Sequence, residues 1–162
     1  MSTVVPTIYS PRTPAVRLNA GHRVLALVIS LTCIGLLTTA AGLTPSPGGM
    51  GTHTALGLAP CAFAERTGLP CPSCGMTTSF AWFARGNLIA SFYIQPMGML
   101  LAVLATAAFW IGFYEALTGR AMHRLLLFIP VRYYIVPLLS IAIIAWAWKI
   151  FIHTHGIDGW HT

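Results

Sequence analysis

Cys71 and Cys74 sit three positions apart in Thr67–Thr78, TGLPCPSCGMTT, with Pro72 between them, Gly75 directly after, and Cys61 ten residues upstream. Thiols at that spacing face one small volume, so they can share a metal ion or close a disulfide. Three chemistries fit. In a metal knuckle, a Cys-Pro-X-Cys-Gly turn aims both sulfurs and nearby backbone N–H groups at one ion, and the glycine supplies a positive φ. A closed zinc site needs two more ligands; Cys61 is the natural third, and His53, His153, His155 or His161 are candidates for the fourth. In a redox pair, Cys71 would cap a helix with Pro72 at its first position. The helix dipole would then acidify Cys71, and Cys61 would serve as resolving thiol. In the plainest case two of the three cysteines form a disulfide that staples a loop, which leaves one odd thiol.

The elements that must position these residues are membrane helices. Hydrophobic residues make up 56% of the 162 residues and charged residues 7%, far below the roughly 25% charged of soluble domains. Apolar runs predict spans at about 24–43, 97–117 and 133–152, each long enough to cross a bilayer. Residues 1–23 read as a polar tail in which Pro6, Pro11 and Pro14 oppose a long helix. The first apolar run is too long for a signal-peptide core and is expected to stay as an anchor. Residues 44–75 form the long loop that carries the cysteines; a loop of that length is often functional.

Residues 76–94 are apolar but broken by Arg85-Gly86-Asn87. An arginine at mid-bilayer is costly, so this stretch predicts two short helical arms, re-entrant or interfacial, and not a fourth span. Pro96 suits the first turn of the next helix. Lys149, near the end of the third run, is expected to snorkel outward. Residues 153–162 read as a solvated tail whose His153, His155 and His161 are weaker metal candidates.

Nine basic residues against three acidic ones do not mark a nucleic-acid protein, because they sit at the ends of apolar runs and not on one helix face. Arg12, Arg17 and Arg23, with Arg120, His123, Arg124 and Arg132, weight the N-terminus and the 118–132 connection. The positive-inside rule then places both inside, and the cysteine loop and C-terminus outside. All the candidate ligands fall on that outer side. No phosphate-binding loop, catalytic triad, carboxylate pair or haem-attachment motif is present, which argues against an enzyme.

The order Cys61, TGLPCPSCGMT at 67–77, Arg85-Gly86-Asn87 and Gln95-Pro96 resembles a bacterial membrane family known as domain of unknown function 2752, over about Pro60–Leu104. That family usually carries an arginine where this chain has Thr78, and Asp and Asn where Asn87 and Gln95 stand. The resemblance implies a small multi-pass protein of the bacterial cytoplasmic membrane and supplies no reaction. Two function classes therefore stand. One is a thiol site handling zinc or copper ions or passing disulfides. The other is an accessory subunit that packs against a larger membrane complex or a second copy, its cysteine loop being a clamp.

Overall fold

The computed structural model of this chain describes residues 17–122 and 132–160. Among these the protein is helical, with an isolated antiparallel bridge between Arg17 and Arg120 and no strand. Three 23-residue helices, α1 (Ala20–Gly42), α5 (Pro96–Thr118) and α6 (Arg132–Thr154), are long and apolar enough to cross a membrane. Their exposed surfaces are apolar, with Val24, Leu31, Trp110, Ile143 and Ile144 all more than half exposed, as lipid-facing positions should be. Residues 1–16 of the expected 1–23 tail, with its prolines, lie outside the described residues, as does most of the basic connection before Arg132, while Ala20–Arg23 of that tail belong to α1.

Local sequence explains the ends of the elements. Asn19 caps α1 by accepting the His22 amide at 2.9 Å, so the helix starts four residues before the apolar run does. Pro96 stands in the first turn of α5, and Gly119, in a left-handed conformation, ends it. The expected break is real: α3 (Met76–Ala84) stops at Arg85, and α4 (Leu88–Ile94) begins after Asn87, whose side chain accepts the Ala90 amide at 3.0 Å. Arg85 is spent structurally, donating to the carbonyl of Leu43 at the end of α1.

α1 and α5 form the main helix pair. They approach so closely that a Cβ on Gly112 would lie 2.7 Å from the Ala26 carbonyl, and Ser30 Oγ donates across the seam to Phe109 O at 3.1 Å. Small residues at the crossing are what membrane helices use to pack. The α3–α4 hairpin rests against both helices and is locked internally by Ser79 and Ser91. Their hydroxyls lie 2.9 Å apart, Ser79 Oγ donates to Ser91 O at 2.8 Å, and Ser91 Oγ donates to Ser79 O at 2.9 Å. Both serines are fully buried.

The hydrogen bonds fix the relative direction of the spans. Leu18 N donates to Gly119 O at 2.8 Å and Arg23 Nη2 to Ala116 O at 2.8 Å, so the start of α1 meets the end of α5. At the opposite end of the bundle, Trp146 Nε1 of α6 donates to Pro70 O at 3.0 Å. The cysteine loop and the end of α6 therefore share one face, away from the start of α1.

Two expectations need correction here. The 44–75 segment is not an open loop: a 3-10 turn at Thr52–Leu56 and a short helix α2 (Ala62–Thr67) fold it into a cap. The chain after α6 is not a free tail up to Trp160 either. Tyr93 Oη donates to Ile157 O at 2.6 Å, and the Trp160 ring lies 5.6 Å from that of Tyr93. Aromatic side chains on α4 give the tail an apolar surface to bury against, which a solvated tail would lack.

Candidate thiolate metal centre

Cys61 occupies the N-cap position of α2, and Cys71 and Cys74 flank a tight turn that leads into α3. The Cys74 amide donates to Cys71 O at 3.0 Å and the Met76 amide to Ser73 O at 3.1 Å, which winds the turn. Gly75, at φ 87°, is the N-cap of α3. That placement corrects the expectation of a helix capped by Cys71: the chain makes a full turn first, so Cys71 lies four residues ahead of the helix cap. The glycine is required twice over, by its left-handed φ and by space. A Cβ there would lie 2.9 Å from the Gly49 carbonyl and 3.4 Å from Lys149 Cε.

Folding brings the three sulfurs together. Cys61, Cys71 and Cys74 Sγ all lie within 4.8 Å of one another, and Cys71 and Cys74 Sγ are 3.2 Å apart. All are free thiols. Tetrahedral coordination with Zn–S bonds of about 2.3 Å sets sulfurs ~3.8 Å apart, a spacing that falls within this range. Cys61 and Cys71 are half-buried and Cys74 is buried. They line a cleft of about 750 Å³ together with His53, Glu65 and Met50.

The two close thiols differ sharply in acidity. Burial opposes ionisation of Cys71, but Ser73 Oγ at 3.2 Å, the Cys74 and Cys61 thiols and the Ser73 amide outweigh it and lower its pKa from 9.0 to about 7. Burial, reinforced by the Cys71 thiol, raises Cys74 to about 12. The pair therefore gives up one proton near neutrality and keeps the second, until a cation replaces it.

The histidines are arranged differently. His53 lines the cleft, but its Nε2 lies 3.2 Å from Ala59 O, and it is not within the three-sulfur group. His153 Nδ1 is 2.7 Å from Asp158 Oδ2, and His155 Nδ1 is 2.8 Å from Phe151 O. His161 lies outside the described residues. Among the described residues, the cysteines alone converge.

The turn is held from behind by Gln95, expected only to start the second span, and by Trp146, expected only in an aromatic belt at the end of the third. Gln95 Nε2 donates to Pro72 O at 2.9 Å and Trp146 Nε1 to Pro70 O at 3.0 Å, so the carbonyls on both sides of Cys71 are fixed by distant helices. Lys149 does not snorkel. Its side chain is fully buried behind Gly75, with Nζ donating to Gly49 O at 3.3 Å. Trp146, Lys149 and Ile152 recur at helical spacing on α6, so one face of that helix backs the cysteine cap. The cap folds over the end of α6 and closes the route to the headgroups that Lys149 would otherwise take.

Residues 61–109 match the family described as "Protein of unknown function (DUF2752)". This bears out the resemblance to that family and spans the Cys61–Cys74 set, the α3–α4 hairpin and the larger, first part of α5. Nothing matches among curated proteins, and nothing among solved structures.

Proposed function

We propose that Cys61, Cys71 and Cys74 hold a thiophilic metal ion, zinc or copper, at the membrane surface. The observation that carries this reading is the convergence of three sulfurs within 4.8 Å across a turn that Gly75 alone permits. Soft thiolate sets select zinc and copper(I) over hard cations. The cleft that the sulfurs line leaves the fourth coordination position to an exchangeable ligand, with His53 the nearest histidine candidate by its place on the same cleft, which makes the site one that can pass its ion on. No step of catalysis is assigned to it.

Six of the nine basic residues, Arg12, Arg17, Arg23, Arg120, Arg124 and Arg132, belong by sequence to the N-terminal segment and the connection before α6. The positive-inside rule supports a cytoplasmic location for that end. The thiol cap and the C-terminus then face the exoplasmic side of a bacterial cytoplasmic membrane. The exposed Leu88, Ile89 and Phe92 support an α3–α4 hairpin at the boundary, where these side chains would meet lipid.

A second reading has its own observation. The 3.2 Å approach of Cys71 and Cys74, with one acidic and one basic thiol, is the arrangement of an attacking and a buried sulfur. Metal analysis of the detergent-purified full chain, beside Cys71→Ser, separates the two. One zinc or copper per chain, lost in Cys71→Ser and on chelation, supports the metal site. A metal-free protein whose Cys71–Cys74 pair oxidises and reduces reversibly supports redox. A protein that does neither leaves the cap as a staple of an accessory subunit.

A further inference from the structure

We propose that Lys149 is the built-in counter-cation of an anionic three-thiolate metal complex, and so a positioning residue for the metal site; this rests on the metal reading above. A divalent ion M²⁺ that binds three thiols displaces three protons to solvent and leaves M(SR)₃ with a net charge of −1. At the edge of a bilayer that charge needs a partner, because desolvated charges are stable only when paired. The partner would have to be cationic, buried, and placed behind the sulfurs where it leaves the ion's open side free.

Lys149 is a buried amine whose stem packs against the cysteine turn. It is the single lysine of the chain and is fully buried. Its stem passes against Gly75, next to Cys74, where a Cβ would lie 3.4 Å from Lys149 Cε. The hydrogen bond it makes is to a neutral carbonyl, Gly49 O at 3.3 Å, although an ammonium carries three donors. Asp158 is taken by His153 Nδ1 at 2.7 Å and forms no ion pair with Lys149 among the described residues. Glu65 and His53 line the same cleft as the sulfurs. A buried lysine with a neutral partner is costly as packing alone; an anionic complex beside it removes that cost.

The test uses cadmium as a spectroscopic stand-in for zinc on the full chain in detergent, comparing wild type with Lys149→Met and Lys149→Arg. In wild type the sulfur-to-cadmium charge-transfer band should have three-thiolate intensity. In Lys149→Met, which keeps the volume and removes the charge, the expected result is at least a tenfold loss of Cd²⁺ affinity. The band per cadmium should also fall by about one third as one thiol stays protonated. Lys149→Arg should recover the full band. Wild-type affinity and intensity in Lys149→Met would overturn the proposal, leaving the metal site itself intact. A wild-type protein that takes up no Cd²⁺ would instead sink the metal reading.

If the substituted proteins do not fold, ¹⁵N-lysine labelling of the native chain gives one Nζ signal. That signal should move when Cd²⁺ is added to wild type and stay fixed in Cys71→Ser. A signal unmoved by bound cadmium would refute the pairing.

Discussion

Gly75→Ala should damage the metal site far more than the same change at Gly86, and the size of the difference follows from geometry. Both glycines are left-handed, at φ 87° and 79°. An L-residue there costs roughly 1–2 kcal/mol. At Gly86 an added methyl meets open space, so Gly86→Ala pays that amount and nothing else. At Gly75 the methyl also lies 2.9 Å from the Gly49 carbonyl and 3.4 Å from Ile94 Cγ2 and Lys149 Cε, so backbone must shift to admit it. In the metal-free protein the turn can relax by letting Cys74 drift from Cys71. A bound ion forbids that, so the strain appears as lost affinity.

With ~1.5 kcal/mol from φ alone, at 1.4 kcal/mol per decade, Gly75→Ala should weaken Cd²⁺ or Zn²⁺ binding about tenfold before the contact is counted. Gly86→Ala, remote from the ligands, should bind within about twofold of wild type, its cost being equal in the free and loaded states. Competition titration against a chromogenic chelator measures both. Equal affinities for Gly75→Ala and wild type would refute the claim that this turn is the ligand cradle.

Three further outcomes are expected. In metal-free, reduced protein, Cys71, lowered to about 7, is a thiolate above that pH, so its alkylation should rise through neutrality and level off at mildly alkaline pH. Cys74, raised to about 12, should stay unmodified over the same range, and peptide mass spectrometry would read the two separately; a shared midpoint near 9 would count against the split. Trp146→Phe removes the donor to Pro70 O, a carbonyl of a fully buried residue, and should cost about 1–3 kcal/mol, seen as a lower unfolding midpoint in detergent. Trp110→Phe, at 61% exposed, should stay within about 0.5 kcal/mol of wild type. A reporter fused after Thr162 should be found outside the cytoplasm, and recovery of its cytoplasmic signal would invert the proposed topology.

Much of this arrangement is written locally in the chain. Twenty-residue apolar runs can bury their backbone polar groups in a bilayer only as helices, so α1, α5 and α6 follow from composition and length. Arg85-Gly86-Asn87 breaks the next run because arginine resists the bilayer and Asn87 restarts the helix as its cap. The positive φ of Gly75 is likewise implied by its place after Cys74.

The tertiary structure decided everything that depends on residues far apart in sequence. Cys61 meets Cys71 and Cys74 because α2 turns the cap back on itself, where reading the segment as an open loop left their distance undefined. Trp146 reaches Pro70 across 76 positions and Lys149 reaches Gly49 across 100. Periodicity marks both side chains simply as residues near a helix end. Whether a lysine there extends to the headgroups or is sealed beneath a thiol cluster depends on what packs over it, and no local pattern encodes that.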